Sequence, residues 1–237
     1  MKLSRLSTPP TADPGTSRLS SLAAETAPIS PHLDLERFEA TALQRAPFDF
    51  LIVPGFLKHA ALPSVERDFP EIASGGSFPA TSLKCGPAFT ALLDELQGAD
   101  VTAAFEAKFG IDLKGRPTMV TLRGQSRAKD GAIHTDSRTK LVTALIYLNS
   151  EWESDGGRLR MLNGPDDLED YAAEVPPEAG TLVAFRCTPE AWHGHKPFVG
   201  RRRSIQLNWL TDEGVLKREL RRHAFSAWTK KLLRFGR

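Results

Sequence analysis

The chain has 237 residues, enough for one domain with appendages and a sizeable core. Hydrophobic residues make up 41% and charged residues 25%, and 31 basic side chains stand against 29 acidic ones, so no general affinity for nucleic acid is implied. No apolar run approaches the roughly 20 residues of a membrane span. Two cysteines, Cys85 and Cys187, are too few for a disulfide framework and point to a reducing, cytoplasmic setting, with Cys187 read as a small buried hydrophobe.

Residues 1–31 are rich in Ser, Thr, Pro and Ala without apolar periodicity, the composition of a disordered leader. Their Arg and Ser content faintly suggests a transit peptide, although the apolar centre of a secretory signal is lacking. Residues 32–116 are expected to form a helical support region. Leu33, Leu35, Phe38, Ala42 and Leu43 share one helical stripe over 32–45, a strand is expected over 48–53 with a turn at Pro54-Gly55, and a helix over 57–69. A loop over 72–82 precedes two short helical patterns, 87–96 and 101–109.

After Pro117 the pattern changes to short β-rich runs separated by turns: 118–123, 133–136, 141–149, 158–162, 181–187 and 203–210. No helix fits between them, which argues against a parallel α/β sheet and for an antiparallel jelly-roll or cupin-like barrel over 117–212. The last segment, 213–237, is helical in pattern. From 216 on it carries eight Lys and Arg against the single acid Glu219, with Ala224, Phe225, Trp228, Leu232 and Leu233 interleaved. It is expected to dock an apolar stripe on the barrel, the alternative being peripheral contact with an anionic membrane or a polyanion.

The chemistry lies in the β-rich half. His134 and Asp136 are two apart in a β-favouring context, so both side chains leave one face of a strand and can hold one metal ion. His193 follows the run 181–187. Two histidines and a carboxylate form the facial triad of non-haem Fe(II) oxygenases, which leaves coordination positions open. H-x-D alone is a common accident; what raises it is the company of Tyr147-Leu148-Asn149, Arg203 and Trp209.

That ordered set resembles the prolyl-4-hydroxylase-like branch of the 2-oxoglutarate and Fe(II)-dependent oxygenases: H-x-D, a strand ending Y-L-N, a distal His, a basic residue nine or ten positions on, and a Trp six beyond it. The likeness spans roughly residues 117–210. It implies a double-stranded β-helix with the N-terminal helices packed outside, and His134, Asp136 and His193 as iron ligands. It implies 2-oxoglutarate as co-substrate, O2 as oxidant, ascorbate as a candidate reductant, and hydroxylation of a C–H bond of a protein side chain, prolyl-like, or of a small molecule, with succinate and CO2 released.

Spacing to Arg203 and Trp209 selects His193 over His195 as the distal ligand. For the carboxylate anchor, Arg203 shares its strand face with Ile205, Leu207 and Trp209, an apolar set expected to point into the barrel. Arg202, two after Gly200, is the alternative. Tyr147 matches a family position that holds the far carboxylate of the co-substrate, Thr143 lies on its face, and Arg123 is a further cavity candidate. Gly156-Gly157 is read as backbone geometry. Substrate choice is expected to lie in the loops 149–157 and 124–131. Two readings from other classes are a non-catalytic cupin-like metal- or sugar-binding module and an adaptor working through the basic tail.

Overall fold

The structure, a computed structural model, describes residues 31–222. The expected leader, all but its last residue, and the apolar positions of the tail from Ala224 onward lie outside those residues.

Three layers stack on one another. Helices cover one face of a six-stranded antiparallel sheet, and a three-stranded sheet covers part of the other. The large sheet has the order β1 (Phe50–Val53), β7 (Leu182–Arg186), β4 (Lys140–Tyr147), β9 (Gly200–Leu210), β3 (Thr118–Ser126), β2 (Phe78–Pro79). The small sheet has the order β6 (Tyr171–Val175), β5 (Leu159–Leu162), β8 (His193–Gly194). This is a mainly β, jelly-roll-like arrangement. Among the described residues the two sheets are separate ladders, so the closed barrel expected from the sequence is not formed.

The two faces of the large sheet are buried by different means, and this decides where the site lies. On the helical face, α3 (Pro87–Leu96) and α4 (Ala99–Phe109) contribute Phe89, Leu92, Phe105 and Phe109 to one core with Ile205, Leu207 and Trp209 of β9. Phe105 lies 4.5 Å from Phe38 and 4.7 Å from Trp209 between ring centroids. Gly110, at φ 63°, ends α4 in the left-handed conformation that glycine adopts without strain. The opposite face meets the small sheet over a second core of Phe48, Tyr147, Leu159, Met161 and Phe185, and beside that core it opens into a polar cleft.

Several elements differ from expectation. The helix expected over 32–45 is only α1 (Leu35–Ala40), capped by Asp34, because Gln44 pairs with Phe50 in both directions and turns the chain into β1. The helix expected over 57–69 is a 3-10 turn, His59–Ala61, followed by α2 (Leu62–Arg67). Residues 133–136 form no strand; His134 makes an isolated antiparallel bridge to His193 instead. After β9, Asp212 caps a helix over 213–222 by accepting from the Val215 N–H at 3.0 Å, and Val215 packs on Met119 and Leu210. No helix among the described residues is long and apolar enough to cross a membrane.

Candidate active site

A cavity of about 320 Å³ opens between the sheets. Its floor is the polar face of the large sheet: Thr121 and Arg123 from β3, Thr143 and Leu145 from β4, and Arg202, Ser204 and Gln206 from β9. Its rim carries His134, Asp136 and His193, and Lys129, Asp130, His195 and Ser77 complete the lining.

His134 and His193 are brought together by their own backbones, which exchange N–H to carbonyl bonds at 3.0 Å in each direction. One ligand atom from each of His134, Asp136 and His193 lies within 4.8 Å of the others, the only such group of three among the described residues. Each imidazole is aimed by its Nδ1, which donates 2.9 Å to a carbonyl two residues back, Ala132 for His134 and Ala191 for His193. That leaves both Nε2 atoms free to bind a metal, the orientation usual for ligating histidines. Burial, with His134 adding to it, pushes the His193 imidazole down to about 4, so it is a neutral ligand at pH 7.

Asp136 is held from beneath by a chain of bonds that all run one way. The Gln206 amide donates to Asn208 at 3.0 Å, the Asn208 amide donates to the Thr143 hydroxyl at 2.6 Å, and Thr143 donates to the Asp136 carboxylate. Lys140 reaches the other carboxylate oxygen at 2.9 Å. Burial works to raise the Asp136 carboxyl, but Lys140, His193 and Thr143 together outweigh it and hold it below its ordinary value, ionised. Cys187 lies 3.3 Å from the Thr143 hydroxyl, and burial, with Asp136 beside it, pushes its thiol up to about 12. It stays protonated and is no thiolate ligand.

The far end of the cavity is cationic. Arg202 is 5% exposed; its Nε donates 2.8 Å to the Gly157 carbonyl, and its terminal nitrogen stands 3.4 Å from the Tyr147 hydroxyl. Gly157 takes φ 79°, and a side chain there would meet the Trp152 ring, so its carbonyl is presented by backbone that only glycine supplies. Tyr147 is fully buried, and burial raises its phenol. His195 lines the same end, donating from Nδ1 to the Lys196 carbonyl at 2.8 Å, and burial with the charge of Arg202 pushes it down to about 4. Gly131 packs against its ring, where a side chain would collide.

Arg203, the anchor expected from strand parity, is not in this cavity. It points to the other face, where its guanidinium lies 4.8 Å from the Phe69 ring centroid in a separate groove with Ile72 and Arg201. The parity was right and the direction reversed: the apolar set Ile205, Leu207 and Trp209 faces the helices, while Arg202, Ser204, Gln206 and Asn208 face the cleft. The local backbone reinforces this. Arg123 pairs with Ser204 and Gln125 with Arg201, so Arg202 and Arg203 together stand opposite the single Gly124, a bulge that sets where both arginines point. Asn149 secures it, its amide donating 3.1 Å to the Arg203 carbonyl and its oxygen accepting 2.8 Å from the Arg203 N–H. The asparagine of Y-L-N therefore shapes backbone. The chain Gln206–Asn208–Thr143 went unread in the sequence; the period of two along β9 is the signal that could have found it.

The 2OG-Fe(II) oxygenase superfamily model matches residues 124–211, the stretch that contains His134, Asp136 and His193 together with Thr143, Tyr147 and Arg202. That stretch resembles a 2OG-Fe(II) oxygenase domain. Among solved structures, the chain is similar to a Pseudomonas putida prolyl-4-hydroxylase at 19% identity and a TM-score of 0.52, over 78% of this chain and 97% of that one. A prolyl hydroxylase from Trichoplax adhaerens, in complex with a hypoxia inducible factor peptide fragment, aligns at 20% identity and TM-score 0.48, over 68% and 83% of the two chains. A viral collagen prolyl hydroxylase from Paramecium Bursaria Chlorella virus-1 aligns at 17% and 0.46, over 68% and 93%. No curated protein sequence matches the chain. The matched family implies Fe(II) and 2-oxoglutarate, and a two-histidine, one-carboxylate set with both Nε2 atoms free fits the metal.

Proposed function

We propose that the protein is a 2-oxoglutarate-dependent hydroxylase in which His134, Asp136 and His193 hold Fe(II) and Arg202, with Tyr147, holds the distal carboxylate of 2-oxoglutarate. The carrying observation is that one cavity has the three metal donors at its rim and a buried guanidinium at its far end. On this reading the two sheets are the major and minor sheets of a double-stranded β-helix. The substrate is a C–H bond of a protein side chain, prolyl-like, or of a small molecule, and the co-products are succinate and CO2.

When bound, Fe(II) supplies the electrons with which O2 is activated as 2-oxoglutarate is decarboxylated. The chain's own residues do the rest. Thr143 fixes the Asp136 carboxylate so that one oxygen stays aimed at the ion, and the Ala132 and Ala191 carbonyls set both imidazole rings. Gly157 orients Arg202 for two-pronged pairing with a carboxylate. Leu145, Leu159 and Phe185 wall the cleft with apolar surface that limits water. A cupin-like binding module has no use for a buried guanidinium beneath the donors, so Arg202 favours the oxygenase reading. Anaerobic titration of the Fe(II)-loaded protein with 2-oxoglutarate tests it. The metal-to-ligand charge-transfer absorption of a chelated 2-oxo acid should develop and be lost in His134→Ala; no such band in the wild type would overturn the reading.

A further inference from the structure

Arg202 is not the only guanidinium at the far end of the cavity. Arg123 of β3 pairs directly across from Ser204, while Tyr147 of β4 pairs with Ser204 from the other side. Arg202 is two residues along the same face of β9, so it is the diagonal neighbour of both, within the reach of long side chains. Arg123 makes two contacts: 3.2 Å to Asp130 and 3.2 Å to the Ser77 hydroxyl. A guanidinium carries five N–H donors, and its others have no protein acceptor among the described residues.

Asp130 neutralises this end only in part. It is committed first to Arg127, which reaches it through its backbone N–H at 2.9 Å, Nε at 3.3 Å and a terminal nitrogen at 2.9 Å. Among the described residues it is also the only carboxylate lining the cavity besides Asp136, against Arg123, Lys129 and Arg202. Two like charges brought together in a partly buried cleft repel unless an anion lies between them.

Resting on the reading of the cavity as the 2-oxoglutarate site, we propose that Arg123 is a second arm of the co-substrate clamp, so that Arg123 and Arg202 grip one distal carboxylate from adjacent strands with Ser204 and Tyr147 between them. Asp130 and Ser77 then serve to hold Arg123 at the correct angle. A carboxylate has two oxygens and about four acceptor positions, enough for both guanidiniums.

The test uses the full chain loaded with Fe(II) under anaerobic conditions, titrated with 2-oxoglutarate and, separately, with pyruvate, a 2-oxo acid without the distal carboxylate. Arg123→Gln should weaken 2-oxoglutarate about ten- to a hundred-fold, the loss of one charge-assisted contact, and leave pyruvate binding unchanged. Arg123→Lys, which keeps the charge, should recover part of the loss. Mn(II) affinity equal to wild type in both variants shows that the fold and the metal donors are intact. Unchanged 2-oxoglutarate affinity in Arg123→Gln overturns the proposal, as does an equal loss for pyruvate. Arg202→Gln separates this from the underlying reading: if 2-oxoglutarate binding survives that substitution too, the assignment of the cavity falls with the clamp.

Discussion

Thr143→Val removes the central link of the chain beneath Asp136 while keeping the volume of the side chain. In the folded protein the Thr143 hydroxyl donates to the carboxylate and accepts from Asn208, whose side chain is fully buried. Valine leaves the Asn208 amide without its acceptor and the carboxylate without its neutral donor, while Lys140 still pairs with the other oxygen. A lost bond to a charged group and an orphaned buried amide together cost about 2 to 4 kcal/mol of stability. Freed on one side, the carboxylate should bind metal about 10- to 100-fold more weakly, the usual penalty for losing a group that orients a ligand. Thr143→Ser restores the hydroxyl, loses only a buried methyl worth about 1 kcal/mol, and should return metal affinity close to wild type. Urea unfolding and Mn(II) titration read the two effects separately. A valine variant that binds Mn(II) as tightly as the wild type refutes the orienting role.

Three further outcomes are expected. Arg202→Gln should weaken 2-oxoglutarate about 100-fold, whereas Arg203→Gln, on the other face of the sheet, should leave it within about twofold in the same titration. Phe105→Ala, removing a ring stacked between Phe38 and Trp209, should cost about 3 to 5 kcal/mol by denaturant unfolding without changing 2-oxoglutarate affinity in the protein that remains folded. For the metal-free protein, His193 and His195 titrate near 4 when folded against an ordinary 6.5. The unfolded chain therefore binds the extra protons first, and stability should be full above about pH 6.5 and fall between there and pH 4, by roughly 3 kcal/mol per ring. Urea midpoints across that range measure it, and a flat profile contradicts the buried neutral state of the two rings.

Much of the fold could be read from short-range pattern. The helices at 87–96 and 99–109 and the strands around 118, 141, 159, 182 and 203 follow from apolar periodicity and turn residues. What escaped was set by partners distant in sequence. Tyr171–Val175 has little β-branched character and is a strand because β5 supplies its ladder. Residues 133–136 look like a strand and are not, since only His134 finds a partner, in His193. The cluster of His134, Asp136 and His193 was legible because a facial triad constrains residue type and order. The choice of arginine was not, because alternation along β9 separates two faces without saying which is covered by helices. A strand whose apolar side meets a helical layer and whose polar side lines a cavity inverts the usual inference that apolar means inward.

The most direct test of the whole account is stoichiometric. The Fe(II)-loaded protein, given 2-oxoglutarate and O2, should consume both and release succinate and CO2 in equal amounts, and His134→Ala and Asp136→Ala should abolish that turnover while still folding. Succinate formation that survives either substitution, or a wild-type protein that binds Fe(II) and 2-oxoglutarate yet releases no succinate, contradicts it.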